Sequence, residues 1–359
     1  MKHSLRALLA ALFLLAALVA AGCGSDDDGG DTSATTSGTA AATQAAEADA
    51  ETGAEAPDKI TIAYQAIPNG DLIVKQNGWL EEAFPDTKIE WKIFDSGGSV
   101  IEAVAADSID IGLAGSSPVS RGLSNGIAFQ VPWIFDVIGE AEALVVKDEI
   151  SSVADLKGKK IAAPLASTTH YSLLAAIQEA GLSPGDVDII DAEPDDIYAA
   201  WTRGDIDGAY VWNPNLARIV DEGGKIILTS AEMAEKGKTT YDLAIVADDF
   251  ASKYPDAVTE WVRQQDRAVA LLNDDPQAAA EAIAAELNLT AEEVLPQIKG
   301  LIYLPASEQA GPDYLGGKLA QDLFETAKFN QEVGEISEVK PEADYAKAVV
   351  PTFAEQAAG

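Results

Sequence analysis

Ser108-Ile109-Asp110-Ile111-Gly112-Leu113-Ala114-Gly115-Ser116-Ser117-Pro118 has an echo later in the chain, Asp205-Ile206-Asp207-Gly208-Ala209-Tyr210-Val211-Trp212-Asn213-Pro214. In each stretch an apolar strand ends in a polar cap residue followed by proline, which is preset for the first helical position and has no N–H to leave orphaned there. Two helices are therefore expected to start at strand carboxyl ends. Ligands of open α/β sheets bind along that edge, and helix N-termini offer unpaired N–H groups to an anion.

Working outward, Ile60-Thr61-Ile62-Ala63-Tyr64 alternates as a strand, Leu72 to Phe84 has helical spacing, and Ile89 to Phe94 reads as a second strand: a βαβ start. A short helix over Val100 to Ala106, a strand over Ile109 to Leu113 and a helix over Pro118 to Ser124 follow. From Ala143 a similar set recurs, with strands at Leu144 to Val146, Lys160 to Ala163, Val187 to Ile190 and Gly208 to Trp212, and helices at Tyr171 to Ala180 and Ile197 to Arg203. Beyond Asp248 the pattern is almost wholly helical. The roughly 300 residues from Lys59 onward exceed what one core usually serves, so two α/β lobes are expected.

The chain opens differently. Met1 to Arg6 carries two positive charges, Ala7 to Ala21 is apolar but too short to cross a bilayer comfortably, and Ala20-Ala21-Gly22 precedes the single cysteine, Cys23. This reads as a lipoprotein signal peptide over residues 1–22 with Cys23 as the lipidated N-terminus, although Ala20 stands where lipoboxes usually carry leucine. No second cysteine exists, which excludes disulfides. From Gly24 to Asp58 there are nine carboxylates and no basic or aromatic residue, a composition that cannot bury a core and predicts a disordered acidic linker over 23–58.

The formal net charge of -35 disfavours nucleic acid as a partner. Catalysis is poorly supplied: beyond the signal peptide His170 is the only histidine, no thiol remains past Cys23, and no metal-ligand spacing or nucleophile elbow occurs. No enzyme activity, metal or cofactor is expected.

Four polar clusters lie at strand-to-helix junctions: Asp95 to Ser99, Gly115 to Pro118, Ser167 to Tyr171, and Trp212 to Pro214. Capping alone explains any one of them; four at equivalent edges point to a ligand cleft. Glu142 and Asp242 each precede a strongly apolar strand, where a carboxylate needs a partner. That partner is either a basic side chain or a ligand cation, which Tyr64, Tyr171 or Trp212 could also face.

The runs Phe94 to Gly97, Gly115 to Pro118, Glu142 to Lys147, Ser167 to Ala176 and Gly204 to Trp212 resemble the taurine-binding proteins of ABC importers, a group related to binders of alkanesulfonates and nitrate. The resemblance runs from about Lys59 to Tyr345. It implies a type II periplasmic-binding-protein fold, α/β in both lobes, whose chain crosses between lobes twice. Lobe 1 would span 59–141 and 241–339, lobe 2 142–240, with 340–359 a C-terminal extension. It implies a ligand site of Ser96, Ser116, Ser117, Thr168 and Thr169 for a sulfonate, Glu142 and Asp242 for an ammonium, Trp212 and Tyr64 as walls, with Gln65 and His170 completing the set.

Physical chemistry favours the same zwitterion. A sulfonate accepts hydrogen bonds on three oxygens and is served by hydroxyls and helix N-termini, whereas a ligand without an amine would leave the two acids unpaired. The expected function is a monomeric, lipid-anchored receptor on the outer face of the cytoplasmic membrane that delivers taurine to a permease and its ATPase. Alternatives are a receptor for an alkanesulfonate, amino acid or betaine, a solute sensor, or a pyrimidine-synthesising enzyme on the same fold, the last lacking its cysteine-rich motif.

Overall fold

Ile60 and Ile62 face one apolar layer and Ala63 the other, so β1 (Lys59–Gln65) is buried on both sides. That is the pattern of a strand in a parallel sheet covered by helices on both faces. It pairs in parallel with β2 (Lys88–Phe94) and with β3 (Ile111–Gly115). The structure, a computed structural model, describes residues 56–359. The expected signal peptide, Cys23 and all but the end of the acidic linker lie outside the described residues.

After β4 (Phe129–Gln130) and β5 (Ile134–Ile138) the chain leaves the first sheet. It then builds β6 (Glu142–Val146), β7 (Lys160–Ala163), β8 (Asp188–Asp191), β9 (Gly208–Trp212) and β10 (Lys225–Thr229), and returns as β11 (Tyr241–Ala247) and β12 (Leu301–Ile302). The first sheet has seven strands, ordered β12-β5-β11-β3-β1-β2 with β4 paired to β11; the second has five, ordered β10-β6-β9-β7-β8. The passages between sheets fall just before Glu142 and just before Tyr241.

β6 and β11 repeat the logic of β1. Leu144 and Val146 enter one core of the second lobe while Ala143 and Val145 enter the other. Leu243 and Ile245, and Ala244 and Val246, divide in the same way between the two faces of the first sheet. Period-two alternation of uniformly apolar residues thus places both strands mid-sheet.

Several expectations need correction. The helix expected over Leu72 to Phe84 is two, Gly70–Asn77 and Trp79–Ala83, because Gly78 takes the left-handed φ of 65° that ends the first. Pro118 is the third residue of the helix Ser116–Ser124, and Pro214 precedes the helix Asn215–Asp221, so neither proline holds the first helical position. Residues 340–359 are no appended extension: Tyr345 is wholly buried in the first lobe, its hydroxyl 2.7 Å from Ser124 Oγ, and Val349 bridges to Val131. Apolar residues of the helices Glu342–Ala348 and Thr352–Ala357 complete both first-lobe cores. Among the described residues no helix is long and apolar enough to cross a membrane.

Candidate functional site

The carboxyl ends of β1 and β3 from the first sheet, and of β7 and β9 from the second, converge on a cavity. Gln65, Gly115, Thr168, Trp212 and Asn213 line it from these strand ends and the turns that follow. Each acid enters through an antiparallel neighbour. Glu142, first in β6, stands opposite Trp212 of β9, and Asp242, second in β11, stands opposite Gly115 of β3. Because an antiparallel strand begins where its neighbour ends, an acid heading β6 or β11 is delivered to the binding edge.

Glu142 is 2% exposed and already solvated by protein: Thr168 Oγ1 donates to Oε2 at 2.5 Å and Ser230 Oγ to Oε1 at 2.6 Å. Burial nevertheless pushes its carboxyl up to about 7, against the pull of those two hydroxyls. Asp242 is likewise raised to about 7, by burial and then by the charge of Glu142. None of the ion pairs among the described residues involves either acid.

The lobes meet closely here. A Cβ on Gly115 would come within 2.6 Å of the Thr168 methyl, and one on Gly97 within 3.0 Å of the Gly115 nitrogen and of Pro118. Glycine at both positions lets the helix starts at Gly97–Ala105 and Thr168–Glu179 approach the cavity floor. Ser96, which precedes the first of these helices, donates from Oγ to Glu193 Oε1 across the lobes at 3.1 Å.

Of the residues expected in the site, Gln65, Glu142, Thr168, Trp212 and Asp242 line the cavity. The others do not. Tyr64 packs edge-on against Trp91 at 6.1 Å with the Lys75 ammonium over its ring, so it is no cleft wall. Ser116 Oγ accepts from the Tyr241 N–H at 3.2 Å, Ser117 Oγ lies 3.5 Å from Asn330 Nδ2, and Thr169 Oγ1 lies 2.7 Å from Ser167 Oγ. His170 Nδ1 accepts from the Ala166 N–H at 3.3 Å and lies 3.9 Å from Glu335, itself paired with Arg121. Burial holds the imidazole below its ordinary pKa. His170 thus closes the turn that leads into its own helix.

One acid escaped the sequence reading. Asp136, in the middle of β5, is fully buried, and neither carboxylate oxygen has a hydrogen-bond partner. Burial, then the charges of Asp242 and Glu142, push its carboxyl well above the usual carboxylate range. A lone acid within Val131 to Ile138, an otherwise almost wholly apolar run, was the available signal.

Two α/β lobes closing an acid-lined cavity between strand ends define a two-lobed solute-binding protein. The family model described as NMT1/THI5 like matches residues 70–279, and the chain belongs to that family. It is 35% identical over 300 residues to the taurine-binding periplasmic protein of Escherichia coli K12, covering 82% of this chain and 92% of that one. The alkanesulfonate-binding protein SsuA from Xanthomonas axonopodis pv. citri, solved bound to MOPS, superposes with a TM-score of 0.70 at 23% identity over 83% of this chain and 99% of SsuA. The nitrate-binding protein NrtA from Synechocystis PCC 6803 gives 0.70 at 13% identity, covering 84% and 88%. These two structures show the fold, a periplasmic-binding-protein-like α/β architecture. The curated relatives that share sequence with the chain are named as binding proteins, not as enzymes.

Proposed function

We propose that this chain is the extracytoplasmic receptor of an ABC importer and that its solute is taurine or a close aminosulfonate. The observation that carries the reading is the pairing, in one buried cavity, of two carboxylates that form no ion pair with the edge where helices begin. Such acids are stabilised when a ligand ammonium arrives and are left costly when it does not. Among the described residues no lysine or arginine lines the cavity, which suits a sulfonate held by hydroxyl and N–H donors without a bulky counter-cation. The E. coli relative, named for taurine, supports the same solute.

Glu142 and Asp242 are assigned to the ammonium, Trp212 and Gln65 to the cavity walls, and the helix starts at Gly97 and Thr168 to the sulfonate. Thr168 would serve through its backbone, since its hydroxyl is spent on Glu142. Cys23 is assigned as the lipid anchor, with the acidic stretch after it as the tether that keeps a loaded, monomeric receptor beside its permease and ATPase.

Isothermal titration with taurine, ethanesulfonate and β-alanine tests the solute, since each analogue removes or replaces one charged end. Taurine should bind tightest; no heat from taurine at millimolar concentration overturns the assignment. Mass spectrometry of the mature N-terminus tests the anchor, which an unmodified Cys23 would refute.

A further inference from the structure

Asp136 and Asp242 are directly opposite each other in the antiparallel pair β5–β11, and residues so paired project from the same face of a sheet with their Cβ atoms roughly 5 Å apart. Asp136 is wholly buried, both its oxygens lack partners, and Asp242 and Glu142 both act on it electrostatically. The titratable groups facing it are Asp242 from β11, Glu142 from β6 and Tyr303 after β12, whose hydroxyl donates to the Pro68 carbonyl at 3.0 Å. All are acidic or neutral. No group of three or more acids, histidines or cysteines among the described residues is arranged to hold a metal ion.

We propose that Asp136, which lies opposite Asp242 and does not itself line the cavity, is a third carboxylate of the cluster behind its amine end, and that an incoming ammonium displaces to solvent a proton that Asp136, Asp242 and Glu142 hold between them when empty. The inference rests on the reading that the ligand carries an amine. An alkylammonium has three N–H donors, and the oxygens of Glu142 are already engaged by Thr168 and Ser230. Asp136, opposite Asp242 and with no hydrogen-bond partner of its own, is the group beside which the proton is held while the cavity is empty. Three neighbouring carboxylates, two of them buried, cannot all be ionised beside one another without a cation, so the empty cluster keeps a proton and the loaded one releases it. Asp136 is thereby a specificity-determining residue: it strengthens binding of amine-bearing ligands and does nothing for plain sulfonates.

Isothermal titration of the mature chain with taurine at pH 7, in buffers of small and of large ionisation enthalpy, tests this. The observed heats should differ by the release of on the order of one proton per taurine bound. Asp136→Asn should weaken taurine about tenfold and cut the proton release by half or more, while ethanesulfonate binds as before. Equal heats in both buffers for the unmodified chain overturn the proposal, and that measurement needs no variant to fold. A folded Asp136→Asn protein with unchanged taurine affinity and proton release also overturns it. If the unmodified chain binds neither taurine nor β-alanine, the amine reading falls and this inference with it; if it binds taurine without releasing a proton, only this inference falls.

Discussion

Glu142 and Asp242 occupy matching places in the two sheets, yet the lobes treat them differently. Each stands at the first or second position of an apolar strand that runs antiparallel to a strand ending at the cavity. The second lobe surrounds its acid with two hydroxyl donors, Thr168 and Ser230. The first lobe gives its acid another acid, Asp136, as its cross-strand neighbour. The backbone is symmetric and the solvation is not. Glu142 is prepaid by its own lobe and serves partly to orient Thr168, whereas Asp242 has more to gain from a ligand cation.

The largest effect should therefore come from Asp242→Asn, which removes an acid that enters no ion pair among the described residues and faces another acid, Asp136, across the strands. Taurine affinity should fall about a hundredfold with ethanesulfonate nearly unchanged, read by titration calorimetry; equal losses for both ligands would make Asp242 structural. Glu142→Gln should cost less, about tenfold in taurine affinity, because two hydroxyls already share the charge being removed. A Glu142 loss larger than that of Asp242 would reverse the comparison.

Gly115→Ala addresses the seam between the lobes instead of either charge. Its Cβ would meet the Thr168 methyl at 2.6 Å, so closure should weaken by roughly fivefold for taurine and ethanesulfonate alike. A selective loss of taurine would show that the seam reaches the amine end.

The smallest effect concerns stability of the empty protein. Glu142 and Asp242 are raised to about 7, and Asp71, buried in the first lobe with Gln265 Nε2 donating to it at 2.7 Å, to about 8. A carboxyl whose folded pKa lies above its unfolded one favours the fold below the unfolded value, and that contribution is lost as pH rises through the folded value. Thermal melting of the empty chain should thus fall by roughly a few degrees between pH 5 and pH 9. Taurine should restore the part due to the cleft acids, and Asp71→Asn the part due to Asp71. A melting temperature that rises over this range would contradict the raised values.

Much of the fold was legible in the chain because the signals are local. Apolar period two marked β1, β6 and β11, and an acid at the head of an apolar strand marked Glu142 and Asp242 without any knowledge of what lies opposite. β5 and β10 went unread, the first because Asp136 and the second because polar ends interrupt a short apolar run.

What the sequence alone determined is thus the order of most of the strands, the family resemblance, and the presence of two acids in need of a partner. Only the tertiary structure decided which hydroxyls reach the cavity and which are spent elsewhere. Successive residues of a strand point to opposite faces, so Gln65 lines the cavity while Tyr64 packs against Trp91 outside it. Asp136 and Asp242 meet because β5 and β11, far apart in the chain, pair across the first sheet. Cross-strand register is a property of the folded sheet, and no local pattern encodes it.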